Sequence, residues 1–240
     1  MGKGKLKKFQ ENATFDHVIE PEIKGHVAED HYLKGNWNKD FFKNNNSLVL
    51  ELGCGKGEYS VGMARIFPEK NFIGIDIKGA RIWRGAKTSF EEKISNVAFL
   101  RTRIEVINSF FAEDEVDEIW ITFPDPQMKK RRAKKRLTSP VFLSKYQKML
   151  KHNGIIHLKT DSKFLYEYTN AVVAHNNLKI IKNTADLYSE NWTDKVLSIQ
   201  TYYEQLHIDD GDKINYISFY LDKNKELKEP DFQENEQQLF

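Results

Sequence analysis

The chain has 240 residues, with 37 Lys and Arg against 35 Asp and Glu, a formal net charge of +2. This balance gives no global electrostatic case for a nucleic-acid binder; positive charge is local, at Lys3, Lys5, Lys7 and Lys8 and across 129–136. One cysteine, Cys54, excludes an internal disulfide and a Cys-rich zinc site, and seven scattered histidines lack ligand spacing, so the expectation is a metal-free protein of the reducing cytoplasm.

Residues 1–46 are polar with scattered aromatics, and the sequence reads as a mobile basic arm over 1–12 followed by a segment that packs on the main domain. The N-terminus lacks the apolar stretch of a signal peptide, and Leu6 stands where a myristoylation signal wants Ser or Thr. No apolar run approaches the roughly 20 residues of a membrane span. Residues 47–52 are a buried strand that enters Gly53-Cys54-Gly55-Lys56-Gly57, followed by a helical pattern that stops before Pro68. A second strand over 71–76 ends in Asp76. A helix over 79–93, a strand over 97–101 and a short helix near 105–111 come next.

Residues 116–123 are β-branched and aromatic and read as a strand. Pro124-Asp125-Pro126 ends it, because neither proline can donate to a ladder and each restricts the residue before it. A carboxylate is thereby fixed at the strand end, just ahead of a run with seven cations in the eight positions 129–136. Such a pair points to chemistry on a polyanion. A helix is expected over 137–149 with Thr138 or Ser139 as N-cap, then a strand over 154–159 and a helix over 163–175. Strands over 178–187 and 213–221 flank a helix at 196–207, and 222–240 reads as a polar, mobile tail. Alternation of strands and helices from 47 to 175 implies an α/β fold: a doubly wound, mostly parallel Rossmann-like sheet with an antiparallel C-terminal edge. The expected division is 1–46 as arm and packing segment, 47–221 as the catalytic domain and 222–240 as tail.

Glycines at 53, 55 and 57 let the backbone adopt positive φ and approach a ligand, and Asp76 stands where a carboxylate accepts from ribose hydroxyls. Two details disfavour a dinucleotide. Glu58 occupies the third-glycine position, and Glu51 would repel a pyrophosphate yet favour a sulfonium-bearing amino acid. The charge argument therefore points to S-adenosylmethionine. Cys54, placed inside that loop, reads as small-residue packing rather than a nucleophile.

With these residues in hand, the sequence resembles the bacterial tRNA (guanine-N7-)-methyltransferases over roughly 37–221. The resemblance rests on 51–57, 72–76, 123–138, His157-Leu158-Lys159-Thr160-Asp161 and Thr201-Tyr202-Tyr203-Glu204. It implies that Glu51, Asp76, Arg103 and Asp125 surround the cofactor and that Asp125 is catalytic. It also implies that Lys129, Asp161, Thr201, Tyr202, Tyr203 and Glu204 contact tRNA or the target guanine, in the variable loop. Arg103 departs from the Asp or Asn usual in the family and cannot accept the adenine amino hydrogen; Glu105 is the substitute. The residue after Pro126 is Gln127 where many relatives carry an aromatic. Rival readings are another class I N-methyltransferase, a non-catalytic RNA-binding subunit on the same fold and, more distantly, a nicotinamide dehydrogenase. Monomer and homodimer both remain open.

Overall fold

The computed structural model describes residues 3–22, 29–192 and 194–232. Eight strands form one sheet in the order β1-β4-β3-β2-β5-β6-β8-β7. Its parallel part comprises β1 (Val18–Ile19), β2 (Ser47–Leu52), β3 (Lys70–Asp76), β4 (Val97–Arg101), β5 (Val116–Thr122) and β6 (Leu150–Thr160). The last strands, β7 (Ile180–Thr184) and β8 (Asn215–Tyr220), run antiparallel, with β8 seated between β6 and β7. The expected doubly wound sheet with an antiparallel C-terminal edge is therefore present.

The central strands are apolar almost throughout, as strands covered on both faces must be. On one face α4 (Pro140–Gln147), α5 (Lys163–His175) and the π-helical turn Trp37–Phe42 close over Leu48, Leu50, Ile73, Ile119 and Leu158. Trp37 is wholly buried, stacks on Phe111 and donates its indole N–H to the Phe110 carbonyl at 2.8 Å. On the other face α2 (Glu58–Ile66) and α3 (Gly79–Glu91) cover Val49, Phe72 and Phe99. Chain order reverses at β2: β3 and β4 lie to one side, β5 and β6 to the other. That reversal opens a crevice at the C-terminal strand ends.

Three expectations need correction. Of the residues read as a mobile basic arm over 1–12, Lys3–Asn12 form α1, which packs on α3; residues 1 and 2 lie outside the described residues. Glu11 accepts from the Trp83 indole at 2.7 Å and from Lys87 at 2.9 Å, and Asn12 donates to the Gly79 carbonyl at 2.9 Å. The arm's own composition hides this, because the partner groups lie on a helix some seventy residues away. The helix expected over 196–207 is instead α6 (Tyr202–Asp209), started by the Thr201 cap. The segment read as a tail is docked as far as it is described: Phe232 meets Phe164 and Tyr168 edge-on, and Leu227 packs against the core. Residues 233–240 lie outside the described residues.

Candidate active site

The glycine turn is held by the main chain. Gly53 and Cys54 N–H groups both donate to the Ile75 carbonyl, at 2.8 and 3.0 Å, which ties the exit of β2 to the end of β3. Gly57 has φ +71°, and an added Cβ would stand 2.5 Å from the Phe99 ring. Only glycine fits there. At Gly53, φ is +78° and no atom lies within 4 Å of where a Cβ would be, so this glycine opens space instead of filling a crowded contact. Cys54 is buried, and burial pushes its thiol well up, consistent with packing in place of nucleophilic chemistry.

Asp76, at the end of β3, is oriented by both neighbouring turns. Its Oδ2 accepts from Gly55 N–H at 3.0 Å and its Oδ1 from Lys78 N–H at 2.7 Å. Glu51 is placed differently from expectation. It is 2 % exposed and faces α2: Ser60 donates both its N–H, at 2.8 Å, and its hydroxyl to Oε2, while Thr122 donates to Oε1 at 2.6 Å. Burial pushes its carboxyl up to about 7, opposed by these hydrogen bonds and assisted by the Asp76 charge. Glu51 therefore fixes the start of α2 and the end of β5 from below the turn. The sequence missed Ser60 and Thr122 as its partners, since they stand on two different elements.

The proline turn departs from β5 with Phe123 at φ +48° and Gln127 at φ +48°, conformations unfavourable for residues with a Cβ. Asp125 is exposed at its apex and accepts from Gln127 N–H at 3.0 Å, which sets the carboxylate's direction. Arg136 closes the turn from behind, donating Nε to the Gln127 carbonyl and Nη2 to the Met128 carbonyl, each at 3.2 Å. Its guanidinium lies 4.7 Å from the Phe164 ring and 4.4 Å from that of Tyr168. At 1 % exposure, Arg136 is no phosphate contact in this conformation, unlike Lys129, Lys130, Arg131, Arg132, Lys134 and Lys135, which are exposed. The expectation that the whole 129–136 run meets phosphates is corrected at this last position.

A cleft of about 460 Å³ lies at the strand ends, walled by Gly53 and Asp76 on one side and by Phe123, Pro124 and Asp125 on the other. Thr102, Arg103, Glu105 and Lys135 also line it. Four of the expected cofactor residues, Gly53, Asp76, Arg103 and Asp125, thus share one cavity. Gly55 and Glu51 serve it from behind. The Thr102 hydroxyl oxygen is buried with no partner among the described residues, an unmet polar atom in a wall that a ligand would cover. Thr102 gave no signal in the sequence beyond its place at a strand exit.

The expected substrate residues sit on a second surface. Thr201 caps α6 reciprocally with Glu204, accepting from its N–H at 3.2 Å while Glu204 accepts from Thr201 N–H at 3.3 Å. Glu204 is fully buried and bonded to Lys159 Nζ at 2.7 Å and the Tyr188 hydroxyl at 2.5 Å. So held, it supports α6 and cannot read a base in this conformation. Lys159 satisfies its remaining donors on the Leu197 and Ile199 carbonyls, both at 3.0 Å, and burial lowers its pKa. Tyr202 and Tyr203 are exposed, with Lys56 of the glycine turn 4.2 Å and 5.2 Å from their ring centres. Tyr202 and Tyr203 therefore abut the glycine turn. Asp161, at the exit of β6, is part-exposed with His207 Nε2 at 3.6 Å; His207 is raised by its Asp212 hydrogen bond, with Asp161 adding to it. Neither Lys129 nor Asp161 lines the cleft.

A glycine turn and a strand-end carboxylate facing a second carboxylate across the switch point define a class I methyltransferase architecture. Solved structures agree on the fold. A 16S rRNA methyltransferase, KamB, superposes with a TM-score of 0.61 over 85% of this chain and 98% of its own, at 13% identity. An antibiotic-related methyltransferase gives 0.59 at 17% identity, covering 82% and 97%. A family model described as a methyltransferase matches residues 45–216. Among curated proteins, the tRNA (guanine-N(7)-)-methyltransferase of Bacteroides fragilis (strain YCH46) is 54% identical over 233 residues, 97% of this chain and 92% of that protein. The Porphyromonas gingivalis (strain W83) protein of the same name is 58% identical over 92% and 91%. The chain belongs to the tRNA (guanine-N(7)-)-methyltransferase family. Among the described residues, no helix is long and apolar enough to cross a membrane.

Proposed function

We propose that this chain moves the methyl group of S-adenosylmethionine to N7 of a guanine in tRNA, in the variable loop. The observation that carries the reading is the cleft whose walls hold Gly53 and Asp76 on one side and Asp125 on the other, at the topological switch point. The residues fit the cofactor: Asp76 is a preset acceptor for ribose hydroxyls, Gly53 leaves room for close approach, and Thr102 offers a buried polar atom without a partner. Bound there, S-adenosylmethionine supplies an electrophilic methyl on a positively charged sulfur.

Guanine N7 carries a free lone pair, so no general base is required. The chain's contribution is alignment and charge. As the purine turns cationic, a carboxylate beside it lowers the transition state more than the ground state. Asp125, directed by Gln127 N–H on a stiff turn, has that role. Tyr202 and Tyr203 offer stacking faces for nucleotide bases, and Asp161 is the carboxylate left to read the guanine's Watson–Crick edge. The exposed cations from Lys129 to Lys135 meet backbone phosphates. The test is methyl transfer to bulk tRNA lacking the modification, followed by nucleoside analysis. N7-methylguanosine is expected; a different methylated base rejects the reading.

A further inference from the structure

Arg136 is the end of a chain of contacts that begins in the last described segment of the protein. Phe164 and Tyr168, the rings beneath its guanidinium, are themselves packed by Phe232, at ring distances of 5.7 and 5.5 Å and near-perpendicular. The Tyr168 hydroxyl donates to Glu229 Oε1 at 2.6 Å. That segment is anchored to helices on the same face. Gln147 donates to the Asp222 and Lys225 carbonyls at 2.6 and 2.8 Å, and Asn176 exchanges two hydrogen bonds with the Lys228 backbone at 2.9 and 2.8 Å.

We propose that Arg136 is a positioning residue for Asp125, and that the 222–232 segment acts through Phe164, Tyr168 and Arg136 to hold the catalytic turn. This rests on the role given to Asp125 above. The turn needs holding: Phe123 and Gln127 both sit at positive φ with a Cβ, and such strain persists only where surroundings over-determine it. Arg136 grips two successive carbonyls, those of Gln127 and Met128, two and three residues beyond Asp125, and a planar fork stacked on two rings has one seating. Lysine keeps the charge but loses both the fork and the stacking. The six cations before Arg136 stay exposed, Arg132 with a bond to Gln127 Oε1 at 3.4 Å, while Arg136 turns inside, so a single basic run serves two purposes.

The test compares Arg136→Lys, Phe232→Ala and the double variant of the full chain. Readouts are amide hydrogen exchange over 127–136 in the free protein, kcat and the KM for tRNA, and thermal stability. Arg136→Lys is expected to speed exchange in the turn and to lower kcat about ten- to hundredfold, with the KM for tRNA changed less than about twofold. Phe232→Ala shifts both in the same direction by less, and the double variant is no slower than Arg136→Lys alone, since both act on one contact chain. A raised KM with a shallower salt dependence and unchanged kcat would make Arg136 a phosphate contact and overturn the proposal. Fully additive losses of stability with no change in turn exchange would overturn it too, leaving a role in folding alone. Hydrogen exchange needs no substrate, so it judges the positioning claim even where the chemistry assigned to Asp125 fails.

Discussion

The glycine turn after β2 and the proline turn after β5 build facing walls of one cleft, yet they are held by different means. The first is fixed by three neighbouring strands and a helix start: backbone to backbone at Ile75, backbone to Asp76, and a close fit of Gly57 against Phe99. The second leaves its strand in a strained conformation and is steadied by Arg136, nine residues beyond Gln127 and stacked on a different helix. A wall made of main-chain contacts inside the sheet carries its own rigidity. A wall held by one stacked side chain inherits the condition of the rings behind that side chain.

The difference can be sharpened by removing one piece at a time. The largest effect is expected at Asp125→Ala, which deletes the carboxylate together with its bond to Gln127 N–H while Arg136 keeps its grip on the turn. Single-turnover methyl transfer should fall about 10²- to 10³-fold, in the range of one lost electrostatic stabiliser, with tRNA affinity near normal. Lost tRNA binding instead would reassign Asp125 to substrate docking. On the other wall, Gly57→Ala forces a Cβ into Phe99 at a positive φ and should cost about 3–4 kcal/mol in denaturant unfolding. A loss under about 1 kcal/mol would show that the glycine turn has slack.

Glu51 supplies a pH signature for that same wall. Its folded pKa, about 7, lies above the ordinary 4.5, so the folded state binds the proton more tightly than the unfolded chain does. Stability from this group is fully present below about 4.5 and is lost as pH rises toward 7, by about 3 kcal/mol in all. Glu51→Gln should flatten that slope in unfolding curves collected from pH 5 to 8. An unaltered slope would place the titration elsewhere.

Local features were legible in the sequence. Strand runs, the glycine turn, Asp76 and the Pro124–Asp125–Pro126 exit each carry their reason within a few residues, and the structure puts Gly53, Asp76, Arg103 and Asp125 around one cavity. What escaped depends on distant partners. α1 and the 222–232 segment have too few apolar residues to announce a helix or a docked strap, and they are ordered by Trp83 and by Phe164 with Tyr168. Glu51 and Glu204 reveal their inward-facing roles only once Thr122 and Lys159 stand beside them. Arg136 looked like its neighbours because a charge run gives no sign of which member turns inside.

Lys159 has one more use, as a clock. Its amine is enclosed by Glu204 and two carbonyls and reaches solvent only when the cap of α6 lifts. Acylating reagents would therefore mark it at the rate at which α6, with Tyr202 and Tyr203, comes away from the sheet, and this one amine would time how often that side of the protein breathes.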